Sequence, residues 1–325
     1  MICEDSKSKK IDALKAIAIF SVVCAHCNTV SFESSFGNLF IHYVLNAVGT
    51  VGVCLFFVIS GYLFEISSSR KKKFCQFIIK KINGIIIPWF FCGTAVYLYI
   101  TLRKGGLSIY TWISFLIGKG SYMYFLPVLL VLYMTGWIIQ NKTSIKYVLI
   151  LLSIISNALT YVGFFSSPYM NLNVINWFVF WGVGMVIAER EIHVKKSIEC
   201  ISLVISIIII IWISNQQVWF NYWYPGFLIF AAIAILGCVF LASKIYRIEL
   251  IRFVGKQTLS IYLTHMPFAG IIANLFGRID FWVFTIIRPF VVIILTLLFT
   301  YVYSKIVTNL FHAPRMLKFI GIKEG

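Results

Sequence analysis

Long apolar runs, almost free of charged side chains, recur along the whole sequence. Four of the clearest cover residues 11–27, 44–64, 201–213 and 291–302. With its flanks, each run is long enough to cross the roughly 30 Å hydrocarbon core of a bilayer as a helix. Only 12% of the residues are charged, against about 25% in soluble globular domains, so the chain falls outside the soluble class.

The lipid environment limits what these runs can form. Backbone polar groups inside a bilayer need internal partners, which leaves helices or closed barrels, and the period-two alternation of barrel strands is absent. We therefore predict an all-α fold, a polytopic transmembrane helix bundle of about ten spans. The predicted spans are 11–30, 44–66, 82–101, 122–139, 145–163, 173–189, 198–214, 224–242, 257–275 and 281–304.

The basic residues give the bundle an orientation. A net charge of +17 would suggest nucleic acid on a soluble protein, but here it fits the excess of Lys and Arg in cytoplasmic loops. With the N-terminus inside, roughly 23 of the 28 basic residues fall on the cytoplasmic side. We therefore predict that both termini are cytoplasmic, that the protein lies among the lipids of an inner or plasma membrane, and that it has no nucleic-acid partner.

The segments between the spans leave no room for a soluble domain. The longest lie near 67–81 and 102–121, and they are too short to bury a core of their own. The N-terminus resembles a signal peptide, but Asp12 and Lys15 interrupt its start and no cleavage site follows, which favours an uncleaved helix. We predict one membrane domain over residues 1–325, without an appended soluble domain.

The first span, IDALKAIAIFSVVCAHCNTV, carries a histidine in an apolar helix. A polar group in lipid is costly, so His26 is expected either to do chemistry or to hydrogen-bond a neighbouring helix. Helical spacing puts Asp12, Lys15 and His26 within roughly 60° of one another, with His26 about 22 Å from the cytoplasmic entry. Asp12 and Lys15 are equally well explained as interfacial residues.

Two cysteines beside this histidine raise the question of a metal site. Cys24 and His26 differ by about 200° around a helix, so they do not share a ligand face. We therefore predict no metal.

The most basic stretch is RKKKFCQFIIKKINGIIIP, at residues 70–88. Its charge is explained either by membrane topology or by a site for a polyanion such as coenzyme A, a nucleotide or a lipid head group. No phosphate-binding glycine motif accompanies it. The candidate phosphate-binding residues are Arg70, Lys73, Lys80 and Lys81.

Two later spans also contain ionisable side chains. His265 and Arg288 each lie close to a proline within an apolar segment, which makes them candidates for a cavity, although Arg288 could instead reach the outer interface. In the second span, small residues are expected to permit close helix packing. These are Gly49, Gly52, Ser60 and Gly61.

Taken in order, these segments resemble the acyltransferase 3 family of membrane acyltransferases, which includes enzymes that O-acetylate bacterial surface polysaccharides. Asp12, Lys15 and His26 are similar to the family's opening, and the basic segment leading to Pro88 resembles its next conserved element. Further similar segments are FFVISGYLF at 56–64, YMYFLPVLLVLYM at 122–134 with Tyr124 in place of Trp, WFVFWGVGMVI at 177–187 and LSIYLTHMPF at 259–268.

The resemblance implies a reaction and its participants. The donor would be acetyl-CoA, held by the cytoplasmic basic segment, and the acceptor a hydroxyl of a cell-surface or lipid-linked glycan at a bacterial inner membrane. His26 would act as general base or acyl relay, with Asp12 and Lys15 as further catalytic residues. The sequence departs from the family where Lys15 and Lys81 replace arginine, and where Gly84 stands in place of a second arginine.

Other functions remain open at this stage. A transporter or flippase for a lipid-linked glycan would need a continuous polar path, and a polysaccharide polymerase would need a large arginine-bearing outer loop. A purely structural partner in glycan assembly would need no histidine. The aromatic residues of one outer loop are expected to anchor at the interface or to stack on sugar rings. They are Trp219, Tyr222, Trp223 and Tyr224.

Overall fold

The computed structural model describes residues 2–27, 35–68, 73–165, 167–276 and 279–322. In these residues it contains thirteen α-helices and no strand, which confirms the predicted all-α fold. The helices are α1 (Ile2–His26), α2 (Phe36–Ile66), α3 (Phe74–Lys81), α4 (Ile87–Lys104), α5 (Ile109–Ile117), α6 (Phe125–Ile139), α7 (Thr143–Tyr161), α8 (Val174–Glu189), α9 (Lys196–Asn215), α10 (Phe227–Ile245), α11 (Glu249–Lys256), α12 (Thr258–Phe276) and α13 (Trp282–Lys305). Short π-helical or 3-10 segments cover Ile82–Ile86, Tyr122–Tyr124, Met170–Leu172, Ile306–Leu310 and Pro314–Ile320.

Eight helical stretches in the described residues are long and apolar enough to cross a membrane. The other two predicted spans correspond to α1, whose first half carries several charges, and to α8, which has only 16 residues. The protein is therefore a multi-pass membrane protein. The count of ten spans and the orientation of the termini stay predictions.

Some segments predicted as loops form short helices. α3, α5 and α11 have only eight or nine residues each, below the length at which hydropathy marks a span. α5 has clear local signals, because the side chain of Ser108 accepts a hydrogen bond from the Thr111 amide and Gly118 ends the helix with φ of 95°.

The first helix also ends earlier than predicted. α1 stops at His26, where the Cys27 amide donates to the Cys24 carbonyl in a tighter turn, whereas the sequence predicted a span to residue 30. Residues 28–34 lie outside the described residues. His26 is thus the last residue of its helix rather than an interior one.

The chain divides into two compact units. The first comprises residues 1–56 and 193–302, and within it α1 packs against α10, α11 and α12, while α9 packs against α10. The second comprises residues 57–192 and 303–325, and within it α7 and α6 both pack against α8, while α4 packs against α5 and the C-terminal 3-10 helix.

Several helices are polar on their protein-facing side and apolar on their exposed side. In α9, Ser202 and Ser206 are buried while Ile208 and Trp212 are exposed, and in α7, Asn157 is buried while its isoleucine and leucine neighbours are exposed. This pattern is the reverse of a soluble protein and is typical of helices that face lipid, where polar side chains turn inward to find partners.

Glycines allow two pairs of helices to approach closely, as the sequence predicted. A Cβ on Gly61 would lie 1.9 Å from the Trp181 carbonyl oxygen, and one on Gly184 would lie 2.1 Å from the Val58 carbonyl oxygen, so α2 and α8 touch through their backbones. Gly49 and Gly52 make the same kind of contact with α1. Any side chain at these positions would push the helices apart.

A buried ionic cluster joins three helices of the second unit. Lys146, only 1% exposed at the start of α7, places its Nζ 2.8 Å from Glu189 Oε2 at the end of α8 and 3.2 Å from Glu65 Oε2 near the end of α2. The Thr143 hydroxyl donates to the other Glu189 oxygen at 2.8 Å. Each charge in the cluster has an opposite charge within hydrogen-bond distance, which offsets the cost of removing it from water.

Replacing Lys146 with methionine should therefore destabilise the protein strongly, because two carboxylates would be left without their cation. We expect a loss of about 3–5 kcal/mol, the range for breaking a buried ion pair, measured as a lower midpoint of thermal unfolding in detergent. Lys142→Met is the matched control, since Lys142 is exposed one turn earlier, and should change stability by less than about 0.5 kcal/mol. Equal midpoints for both variants would contradict a stabilising cluster.

Candidate active site

The structure brings together two histidines that lie far apart in the sequence. His26, at the end of α1, packs against His265, in the middle of α12, with 5.1 Å between ring centroids and 47° between ring planes. Both belong to the first unit, where α1 and α12 are in contact. Two of the predicted site residues therefore form one pair.

The ring of His265 is held by its own helix. Its Nδ1 lies 2.7 Å from the Tyr262 carbonyl oxygen and 3.1 Å from the Ile261 carbonyl oxygen. Carbonyl oxygens only accept hydrogen bonds, so these contacts assign the hydrogen to Nδ1 and make Nε2 of the neutral ring an acceptor. The backbone thus fixes both the tautomer and the orientation of this imidazole.

The two rings differ in their accessibility. His265 is fully buried, at 0% exposure, whereas His26 is only half-buried. A general base has to come within hydrogen-bond reach of the proton that it removes. Of the pair, His26 is therefore the ring that can contact a substrate, and His265 is the ring that packs behind it.

Arg288 is buried within the protein. It is 2% exposed, and its Nη2 donates a 2.8 Å hydrogen bond to the carbonyl oxygen of Phe276, the last residue of α12. A cation is favourable at a helix C-terminus, where the carbonyl groups point outward. Arg288 thus fixes the end of the helix that carries His265.

Asp12 and Lys15 pair with each other rather than with His26. Lys15 Nζ lies 3.2 Å from Asp12 Oδ1, one turn along α1. Lys15 precedes His26 by eleven residues, which places the pair about 16 Å away along the helix axis. The three residues share a helix, but the structure does not bring them to one chemical centre.

The predicted phosphate-binding residues occupy different environments in the second unit. Arg70 lies outside the described residues, and Lys73 and Lys80 are exposed. Lys81 is partly buried, with its Nζ 3.2 Å from the ring centroid of Tyr133, a cation–π contact that holds the ammonium group in place. Gly84 follows in an exposed π-helical turn, where a side chain would meet nothing within 4 Å.

No group of three or more potential metal ligands occurs among the described residues. Hydropathy and motif patterns did not predict the cluster of Glu65, Lys146 and Glu189, although all three residues lie at an end of a predicted span. Ionisable residues within membrane spans are usually functional or paired. If this is also expected of residues at the ends of spans, these three become candidates.

Comparison with known proteins adds one finding. The profile of the acyltransferase 3 family, described as an acyltransferase domain, matches residues 8–305. The chain belongs to this family. No curated protein and no solved structure shows significant similarity to it. Since the match includes His26, His265 and Arg288, the histidine pair lies within a membrane acyltransferase domain.

The start of this acyltransferase is anchored by a close backbone contact. A Cβ on Gly255 of α11 would lie 1.9 Å from the carbonyl oxygen of Asp12, so α11 rests directly on α1 beside the Asp12–Lys15 pair. A side chain there would have to displace backbone rather than a flexible group. The N-terminal half of α1 therefore depends on the absence of a side chain at position 255.

Gly255→Ala should destabilise the protein by about 1–3 kcal/mol, the usual cost of overpacking, seen as a lower midpoint of thermal unfolding in detergent. Gly270→Ala in the neighbouring α12 is the control, because a Cβ there meets nothing within 4 Å. If the two alanine variants unfold at the same temperature, α11 does not pack on α1 in this way.

Proposed function

We propose that this membrane acyltransferase moves an acetyl group from acetyl-CoA to a hydroxyl of a cell-surface or lipid-linked glycan at a bacterial inner membrane. The observation that supports it best is the packing of the half-buried His26 on the fully buried His265, 5.1 Å apart, within an acyltransferase domain. A partly accessible imidazole beside a rigid neighbour is suited to removing a proton from an acceptor hydroxyl.

The proposed reaction uses His26 as the general base. His26 takes the proton of the acceptor hydroxyl while the hydroxyl oxygen forms a bond to the carbonyl carbon of the acyl group. The bond between that carbon and the sulfur of coenzyme A then breaks. The proton passes from His26 to the departing thiolate, so the products are the glycan ester and free coenzyme A, and His26 returns to its neutral state.

His265 and Arg288 have supporting roles in this proposal. The two carbonyl contacts of His265 leave its ring one orientation, and the bond from Arg288 to Phe276 fixes the end of the same helix. A neighbouring ring that cannot turn limits the positions open to His26. A small displacement of a catalytic group lowers the reaction rate strongly. His265 and Arg288 would therefore act as positioning residues, without contact with the substrate.

The donor is proposed to bind through its phosphates on the cytoplasmic basic segment. Lys73 and Lys80 are exposed there, and Lys81 is oriented by Tyr133. Arg70 is included in this proposal on the basis of sequence. The exposed lysines would attract the phosphates as point charges, since Lys lacks the bidentate fork of Arg. Asp12 and Lys15, near the predicted cytoplasmic end of α1, stay candidate site residues on the basis of sequence.

Replacing His26 with alanine should lower acyl transfer by about 10²–10⁴-fold, the usual contribution of a positioned general base. The measurement is the acyl content of the host's surface glycans, by NMR or mass spectrometry, in strains with the wild-type protein, His26→Ala or a gene deletion. His193→Ala is the control, because His193 is an exposed histidine of the same unit.

In each strain, the amount of protein in the membrane is measured by immunoblot. We expect the acyl signal to be lost from the His26→Ala and deletion strains and kept in the His193→Ala strain. A deletion that alters glycan length or export, with acylation unchanged, would instead assign the protein to polymerisation or transport.

Reversing the charge of an exposed lysine should weaken donor binding. Lys80→Glu should raise the KM for acetyl-CoA roughly fivefold at low salt, as expected for about 1 kcal/mol of surface electrostatics, and the difference should shrink at high ionic strength. Lys119→Glu makes the same charge change in a predicted outer loop and should leave this KM unchanged. An equal effect of both substitutions would argue against donor binding on the basic segment.

A further inference from the structure

The first turns of α2 are fixed to the start of α13. Asp280 accepts hydrogen bonds from the Ser35 amide at 2.7 Å and from the Asn38 side chain at 3.0 Å, and Asn38 in turn accepts one from the Thr285 hydroxyl. The hydrogen bond from the Ser35 amide, followed by those from the side chains of Asn38 and Ser35, keeps the pKa of Asp280 below its usual value. Asp280 is therefore a carboxylate that holds this end of α2.

Two turns further along, α2 also holds the loop that connects α9 and α10. The side-chain oxygen of Asn46 accepts a 2.9 Å hydrogen bond from the backbone amide of Phe220, in the loop between α9 and α10. Phe220 is 3% exposed and packs on the rings of Phe227 and Phe230. The same loop contains Gln217 in the left-handed region, with φ of 52°. This aromatic loop, residues 216–226, is thus held in one place against α2.

Between Asn38 and Asn46, one turn from each, lies His42. Its ring packs 5.3 Å from the indole of Trp219, at 39° between planes, and 5.1 Å from the ring of Tyr43, edge to face. Trp219 is 50% exposed although the residue that follows it is buried. The backbones of α2 and of the aromatic loop therefore hold the rings of His42, Tyr43 and Trp219 together, and about half of Trp219 is exposed.

The chemistry of this cluster fits a neutral sugar. A sugar ring has apolar C–H faces that pack on aromatic rings and hydroxyl groups that hydrogen-bond to imidazole and phenol groups, and small-ligand sites combine these two features. Neither residues 36–47 nor the aromatic loop contains Lys or Arg, and among the described residues the Asp280 carboxylate hydrogen-bonds to the first of these segments. An anionic ligand would meet no positive charge in these two segments.

The cluster also lies at a suitable depth relative to His26. Gly49 of α2 packs directly on Ala25, beside His26, with an added Cβ only 2.5 Å from the Ala25 side chain. His42 precedes Gly49 by seven residues, which corresponds to about 10 Å along α2. The rings are therefore in the same unit as His26, about 10 Å further toward the end of α2 that is predicted to face outward.

We propose that Trp219, His42 and Tyr43 form the platform that binds a sugar ring of the acceptor glycan and presents its neighbouring hydroxyl toward His26. The proposal rests on the function proposed above, since the acceptor is a glycan only if that function is correct. It assigns an acceptor-binding role to residues that the reaction itself does not use, and it gives the aromatic loop a role beyond anchoring at the membrane interface.

The test uses purified protein in nanodiscs, acetyl-CoA as donor, and surface glycan extracted from the deletion strain as acceptor. Initial rates are measured while glycan and donor are varied separately. Trp219→Ala should raise the KM for glycan about tenfold, as the loss of one good ring contact implies, and leave the KM for acetyl-CoA unchanged. Trp219→Phe, which keeps a ring, should restore most of the affinity.

Trp212→Ala is the matched control. Trp212 is 62% exposed near the end of α9 and is a typical interfacial anchor, so its removal should affect the amount of inserted protein and not the KM for glycan. If Trp219→Ala behaves like Trp212→Ala, with reduced insertion and a normal KM for glycan, Trp219 is an anchor and the platform is wrong. If wild-type protein transfers no acyl group to the glycan, the proposed function itself fails, which separates the two results.

Discussion

The structure depends on the cost of leaving polar groups without partners in lipid. A bilayer supplies no hydrogen bonds, so every buried amide, hydroxyl and charge has to find a partner within the protein. α7 and α9 therefore turn several polar side chains, such as Asn157, Ser202 and Ser206, toward the protein and most of their isoleucines outward. The buried Lys146 follows the same rule, because two carboxylates from different helices reach it at 2.8 and 3.2 Å. Polar contacts thus help to determine which helices pack together, whereas the apolar surface mainly determines that the helices insert into the membrane.

The same rule explains why the candidate site is built around His26. His265, which packs against it, hydrogen-bonds to carbonyls of its own helix, and Arg288 hydrogen-bonds to the last carbonyl of α12. Both are almost completely buried. His26 is half-buried and is the last residue of α1, where the helix gives way to a tighter turn. A residue at a helix end is more accessible than one inside a span, so this position suits a group that exchanges protons with a substrate.

Local sequence patterns predicted the helical fold, the small residues at Gly49, Gly52 and Gly61, and His26 and His265 as residues of interest. They did not predict which of these residues meet, because hydropathy and helical spacing describe one segment at a time. The contact between His26 and His265 joins residues 239 positions apart, and the Asn46–Phe220 bond joins residues 174 apart. The short helices α3, α5 and α11 were missed for a different reason: they are too short to span and were therefore assigned to loops.

The distribution of charge links topology to the proposed chemistry. Basic residues determine which side of a membrane protein stays in the cytoplasm, and here they are concentrated in segments predicted to lie there. The proposed donor carries several phosphates, so basic residues that set the orientation would also attract it. The segments 36–47 and 216–226, predicted to lie on the outer side, contain no Lys or Arg and are rich in aromatic rings, which suits an uncharged acceptor. If Lys80 and Trp219 have the proposed roles, each substitution will change the KM of one substrate and leave the other unchanged, because the two substrates are recognised by different physical interactions.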